Sequence, residues 1–194
     1  MPGPSGSAGR SGARLTVAGQ AVVAECAGAL AALRERAPRV QCLTNTVAQP
    51  ITANLLLAAG ARVSMASHPD EVADMTRTAD AVLINLGTLD SARVAAIDRL
   101  TGQHGHLPHQ TVLDPVFVEL SPLRMALAAR VIRHCGVIVK GNGREMAALR
   151  EALPELSEMT PAIVTTGPVD LVEGGGQRWR CANGHHWMAG VSGV

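Results

Sequence analysis

Apolar positions along this chain fall into two alternating kinds of segment, short β-branched runs and longer stretches with helical spacing. Residues 15–36 are rich in Ala and Leu, gather their charges at the far end and are followed by Pro38, which predicts a helix. A short strand is expected at 40–43. Residues 50–59 are apolar almost all round and stop at Gly60, the pattern of a buried helix. A second strand follows at 62–65. Residues 69–79 open with Pro-Asp-Glu, a first turn suited to the helix dipole. Strand 81–85 runs into the turn Gly87-Thr88, and 89–100 is an amphipathic helix. Strand 111–114 is closed by Pro115, and helix 122–134 has Ser121 as its N-cap. Strand 137–140, a helix from 142 to about 153 and strand 162–166 complete the alternation. After Gly167 the segments 169–172, 177–181 and 185–188 are separated by Gly-Gly-Gly and Asn-Gly, which signals hairpins.

Strand-helix alternation implies βαβ units and a mostly parallel sheet with helices on both faces, here with an antiparallel edge near the C-terminus. In such sheets ligands bind beyond the carboxyl ends of the strands. The residues there are Thr44-Asn45, Met65-Ala66, Asn85 to Thr88, Asp114-Pro115, Gly141-Asn142 and Thr166-Gly167, nearly all small or polar.

Of the 194 residues 47% are apolar and 17% charged, enough for a core in a single domain. Only 2% are aromatic, so Ala, Val, Leu, Ile and Met must fill that core. A net charge of +1 gives no electrostatic case for nucleic acid or for a membrane surface. No apolar run approaches the roughly 18 residues that a membrane helix needs. Cys26, Cys42, Cys135 and Cys181 lack metal-ligand spacing and read as reduced, buried thiols of a cytoplasmic protein. Residues 1–14 are rich in Gly, Ser, Pro and Ala and read as a disordered tail, with a targeting remnant as the alternative. Residues 15–194 form the expected domain.

The strand ends also carry a family likeness. The run Thr44-Asn45 to Asn54-Leu55-Leu56-Leu57-Ala58-Ala59-Gly60-Ala61 resembles the opening of hydroxyethylthiazole kinases, as does Val63-Ser64-Met65-Ala66. Ile84-Asn85-Leu86-Gly87-Thr88-Leu89 is the most specific piece. Leu113-Asp114-Pro115-Val116, Lys140-Gly141-Asn142-Gly143-Arg144-Glu145 and Thr165-Thr166-Gly167-Pro168-Val169-Asp170 resemble further family motifs in the family's order. The resemblance implies a ribokinase-like three-layer α/β fold and ATP- and Mg²⁺-dependent phosphorylation of 4-methyl-5-(2-hydroxyethyl)thiazole, a step toward thiamine. It also implies a homotrimer with sites between subunits. Carried over residue by residue, Met65, Asn45 and Gly193 fall to the thiazole alcohol, and Arg124 and Thr166 to ATP. Glu145 and Asn142 fall to Mg²⁺ through its waters. Arg124 stands ten residues after Asp114, as the family spacing requires.

Three features depart from the family pattern. Phe117-Val118-Glu119-Leu120 replaces a glycine-rich stretch, where glycine permits close approach to phosphate. The segment between Glu145 and Ala162 has room for one helix and a turn but scarcely for a second helix. Val194 falls just before the glycine turn whose following cysteine activates the alcohol in the family, so the fold is expected to be incomplete, without its C-terminal helices or that catalytic residue, and the kinase activity impaired.

Plainer readings stand beside these. Met65 is a core residue on this view, Arg124 a solvated charge, Glu145 an exposed helix residue and Asp114 a strand end. His104, His106 and His109 read as a solvated loop, His185 and His186 as turn decoration, and Trp179 and Trp187 as cover for the sheet edge. The functional alternatives are a thiazole- or nucleotide-binding fragment without turnover, and a related kinase such as a hydroxymethylpyrimidine kinase.

Overall fold

The computed structural model describes residues 17–108, 110–182, 184, 185 and 187. Its strands are β1 Arg39–Leu43, β2 Arg62–Ser64, β3 Ala81–Asn85, β4 Thr111–Asp114, β5 Ile138–Asn142, β6 Ala162–Thr166, β7 Asp170–Gly174 and β8 Gln177–Cys181. Its helices are α1 Val17–Arg36, α2 Gln49–Ala59, α3 Val72–Arg77, α4 Ser91–Thr101, α5 Pro122–His134, α6 Gly143–Ala152 and the single turn α7 Leu156–Met159. A 3-10 turn occupies Val118–Leu120.

The strands form one sheet in the order β2-β1-β3-β4-β5-β6-β7-β8. β1 to β6 are parallel, whereas β7 and β8 are antiparallel. The β7–β8 turn is Gly175-Gly176 with φ of 56° and 73°, values that glycine adopts without strain. Glu173 of this hairpin accepts from Arg150 of α6 at 2.5 Å, which ties the antiparallel edge to the helical layer.

One apolar cluster joins the α3–α7 layer to the sheet. It includes Val82, Ile84, Leu113, Val139 and Ile163 from the strands, and Val72, Ile97, Leu100, Val131, Ile132, Met146 and Leu149 from the helices. The alternate strand residues Leu83, Val112, Ile138 and Val164 face the other way and are half-buried. Right-handed crossovers put α2 on that second face, since β2 lies on the opposite side of β1 from the later strands. α1 packs on α2 there. The two layers of helix on a mostly parallel sheet are the expected α/β architecture.

Four expectations need correction. α2 buries none of its side chains completely, and Leu55 is 69% exposed. One face of this apolar helix is covered by no other element among the described residues. α3 starts at Val72 rather than at Pro69, because the amides of Glu71 and Val72 both turn back to the carbonyl of His68. Of the four thiols only Cys42 is buried, Cys135 is half-buried, and Cys26 and Cys181 are exposed. The third late segment is not a strand where it is described: His185 is irregular and Trp187 lies in a 3-10 turn. Residues 183, 186 and 188–194 lie outside the described part, as does the expected tail at 1–14.

Leu113 and Val112 adjoin in β4 and face opposite layers. Leu113→Ala is expected to destabilise the fold by about 2–5 kcal/mol, from lost transfer energy plus a cavity. Val112→Ala should lose only about 1 kcal/mol, since its methyl groups are half in water. Urea unfolding of both variants checks the difference.

Candidate functional site

A strand that hands over to a helix leaves backbone groups without ladder partners, and side chains must supply them. That need shapes the carboxyl edge of this sheet. The order β2-β1-β3 reverses the chain's direction of travel across the sheet, so the exits of β1 and β3 lead to opposite faces. A crevice at such a switch point is where open α/β sheets bind ligands.

On the β1 and β3 side, Asn45 donates from Nδ2 to Asn85 Oδ1 at 3.0 Å and accepts the Ala48 amide on Oδ1 at 2.8 Å. Asn85 Oδ1 also accepts the Gly87 amide at 2.9 Å. Glycine at position 87 permits this close approach, since a Cβ there would stand 2.9 Å from Asn85 Oδ1 and 3.0 Å from Asn45 Cβ and would displace the amide pair. Thr88 follows with φ of 44°, and its Oγ1 accepts the Thr46 amide at 3.0 Å. Met65 is half-buried in the loop directly after β2. The next carbonyl, Ala66, accepts from the buried Gln41 side chain.

The β4 to β6 side is polar. Asp114, Lys140, Asn142 and Thr166 share the half-open face of the sheet by strand alternation, and Asn142 is in register with Thr166. Lys140 Nζ lies 3.1 Å from Asp114 Oδ2. Burial pushes the Asp114 carboxyl above its usual range, and the Glu145 charge adds to this, against the opposing pull of Lys140. Asn142 caps α6 by accepting the amides of Arg144 and Glu145 on Oδ1. Glu145 closes a capping box by accepting the Asn142 amide on Oε2 at 2.7 Å. Its Oε1 accepts the Phe117 amide at 2.9 Å, so this carboxylate, only 5% exposed, is no ordinary helix surface group. Thr166 Oγ1 donates to the Gly141 carbonyl at 3.3 Å.

Arg124 donates from Nη1 to the Val116 carbonyl at 2.6 Å, and its guanidinium lies 5.9 Å from the centre of the Phe117 ring. Phe117 sits at φ of 55°, a conformation better suited to the glycine that the family likeness expects there. Glu119 keeps Oε2 buried without a partner among the described residues.

The structure thus collects Asn45 and Met65 at the β2-β1-β3 exits and Arg124, Asn142, Glu145 and Thr166 at the β4-β5-β6 exits. Gly193 and His109 lie outside the described residues. Two participants were not singled out in the sequence, Lys140 and Arg93. Arg93 shares the buried face of α4 with Ala96, Ile97 and Leu100. An arginine at that spacing on an apolar stripe was a signal available to sequence reading. Cys42 stands inside β1, and burial raises its thiol to about 11, which makes it unreactive. Among the described residues no three of His, Cys, Asp or Glu are grouped to hold a metal ion directly.

A carboxyl whose folded-state pKa is raised favours the protonated fold. Its contribution is complete below the ordinary value of 3.8 and is lost as pH rises through the folded-state pKa. Asp114→Asn abolishes that loss. The stability of the variant relative to the parent should therefore grow as pH rises from 3.8 toward neutrality, which urea unfolding along a pH series measures.

A profile of the hydroxyethylthiazole kinase family matches residues 30–158. The chain is 37% identical over 188 residues to the hydroxyethylthiazole kinase of Kineococcus radiotolerans, covering 87% of this chain and 68% of that protein. It is 36% identical over 196 residues to the hydroxyethylthiazole kinase of Akkermansia muciniphila, covering 90% and 71%. The solved hydroxyethylthiazole kinase of Pyrococcus horikoshii OT3 superposes with a TM-score of 0.73 at 33% identity, over 86% of this chain and 70% of that one. Profile, relatives and superposed structure agree with the strand-end motifs: this chain belongs to the hydroxyethylthiazole kinase family.

Proposed function

We propose that this chain transfers the terminal phosphoryl group of ATP to the hydroxyl of 4-methyl-5-(2-hydroxyethyl)thiazole, in thiamine biosynthesis or salvage in the cytoplasm. The observation that carries the reading is the division of the sheet's carboxyl edge into an amide-and-thioether half at β2-β1-β3 and a cap-and-cation half at β4-β5-β6. Phosphoryl transfer asks a protein mainly to position two reactants and to stabilise spreading negative charge.

In this reading Met65 supplies a polarisable apolar wall for the thiazole ring, and Asn45 borders the same pocket. Gly193 completes it from outside the described residues. Arg124 exchanges the Val116 carbonyl for phosphate oxygens, a natural change of acceptor for a guanidinium. Thr166 borders the ATP at the end of β6. Asn142 and Glu145 shape the loop beneath the phosphates. Glu145 already holds a backbone amide on each oxygen, so these residues fit a Mg²⁺ ion retained through water and through the nucleotide, not by direct protein ligation. Such an ion supplies charge neutralisation on the phosphates. The chain's own groups orient the acceptor and the nucleotide.

We extend the reading to self-association as a homotrimer. α2 presents Ile51 and Leu55, one turn apart, to solvent near the Asn45 loop, the kind of apolar face that subunits cover. None of the helices among the described residues is long and apolar enough to cross a membrane.

Isothermal titration with the thiazole alcohol, with and without MgATP, together with ADP release on the same sample, tests the assignment. Thiazole-dependent ADP release is expected. Binding without release would make this a binding protein, and release only with a hydroxymethylpyrimidine would make it the related kinase. Arg124→Ala should raise KM for ATP about tenfold or more, the loss of a charged hydrogen bond worth roughly 1.5–3 kcal/mol, with KM for the alcohol little changed.

A further inference from the structure

Arg93 is only 5% exposed and projects from the first turn of α4, where the helix pattern calls for an apolar residue. Burying a guanidinium is unfavourable unless its donors are met. Here its hydrogen bonds all run from Nη1 to one residue. Nη1 donates to the Thr88 carbonyl at 2.6 Å and lies 3.4 Å from Thr88 Oγ1. Asp90 is the ion partner at 3.7 Å, and Nε has no partner among the described residues.

Thr88 needs holding. It is β-branched and sits at φ of 44°, a region such residues rarely occupy. In that conformation its Oγ1 accepts the Thr46 amide at 3.0 Å and lies 3.4 Å from Thr46 Oγ1. Thr46 adjoins Asn45, whose amide is fixed on Asn85. A single buried cation in α4 is thereby linked, through the β3–α4 turn, to the β1–α2 loop on the far side of the switch-point crevice. Among the described residues its hydrogen bonds and ion pair stay with Thr88 and Asp90 and do not reach Arg124, Asn142, Glu145 or Thr166.

We propose that Arg93 is a positioning residue for the acceptor alcohol: it clamps Thr88 in its left-handed conformation and so sets the Asn45–Thr46 wall, without acting on the nucleotide. The proposal rests on the acceptor lying in the β2-β1-β3 half of the crevice.

Four forms of the full chain separate the outcomes: the parent, Arg93→Met, Arg93→Lys and Thr88→Gly. In titration with the thiazole alcohol alone, Arg93→Met is expected to raise Kd about tenfold or more while Kd for MgATP stays within about twofold. Thr88→Gly removes both the hydroxyl and the left-handed cost, and should raise the alcohol Kd similarly. Combining it with Arg93→Met should add little, because the two act as one unit. Lysine offers a point charge in place of a fork and should restore part of the affinity. Equal weakening of both ligands, additive effects of the two substitutions, or an unchanged alcohol Kd would each overturn the proposal. Should Arg93→Met fail to fold, Thr88→Gly carries the test alone. If the parent itself does not bind the alcohol, the functional reading fails, and amide hydrogen exchange still decides the clamp. Arg93→Met should speed exchange at the Thr46 amide and not at the Phe117 amide; equal change at both, or none at Thr46, would refute it.

Discussion

The constraint on which this structure turns is the need to satisfy backbone groups where a parallel strand hands over to a helix. Three successive exits meet it in the same way. Asp90, Ser121 and Asn142 cap α4, α5 and α6, and each accepts the amide of the third helical residue, Arg93, Arg124 and Glu145. The side chain of that third residue then reaches back to the loop. Arg93 donates to the Thr88 carbonyl and Arg124 to the Val116 carbonyl, both at 2.6 Å, while Glu145 accepts the Phe117 amide at 2.9 Å. Glu145 also bridges two exits, since its other oxygen holds the Asn142 amide. Gly141 makes room for it: a Cβ there would stand 2.9 Å from Glu145 Oε2.

These loops stand beside a half-open face because the sheet is covered unevenly. The α3–α7 layer seals one face with an apolar cluster. On the other face α1 and α2 lie toward the β2-β1 end, and the alternate residues of β4, β5 and β6 keep partial exposure. Asp114, Lys140, Asn142 and Thr166 belong to that half-open set. Their polarity would be unfavourable under a helix and is tolerated where water or a ligand reaches them. Partial burial is also why the Asp114 carboxyl rises even with Lys140 at 3.1 Å.

Much of this was legible in the residue pattern. β4, α5 and β6 begin and end where the turn residues place them, and the Ser121 cap is as expected. The strand-end reading also singled out Asn45, Asn142 and Thr166, because small polar residues at the exits had no core role to play. What was not legible depended on tertiary partners. An apolar helix such as α2 looks buried until one asks what lies over it, and the described elements leave one of its faces open. The length of the crossover from Glu145 to Ala162 argues against a second helix, yet the single turn of α7 fits, and its Leu156 enters the core. Glu145 looked like surface because its two amide partners come from different loops, one of them 28 residues away. Arg93 went unnoticed because charges on helices are usually solvated.

The two arginines carry the physics one step further. A cation in the first turn of a helix opposes the macrodipole, so neither Arg93 nor Arg124 is placed there for helix stability. Each stands beside a non-glycine residue in the left-handed region, Thr88 at φ of 44° and Phe117 at φ of 55°. Such strain persists only where the surroundings over-determine it, and it gathers at sites that must hold a shape. The pair differ in access. Arg93 has a side chain 6% exposed and is sealed against its turn, so it can only position what lies beyond Thr88. Arg124 is half-buried at the rim, held by one carbonyl and the face of one ring. Both of those contacts can be exchanged for an anion. One device, repeated at two strand exits, therefore yields a fixed wall at the β1 and β3 exits and a releasable cation at the β4 exit, and burial alone decides which is which.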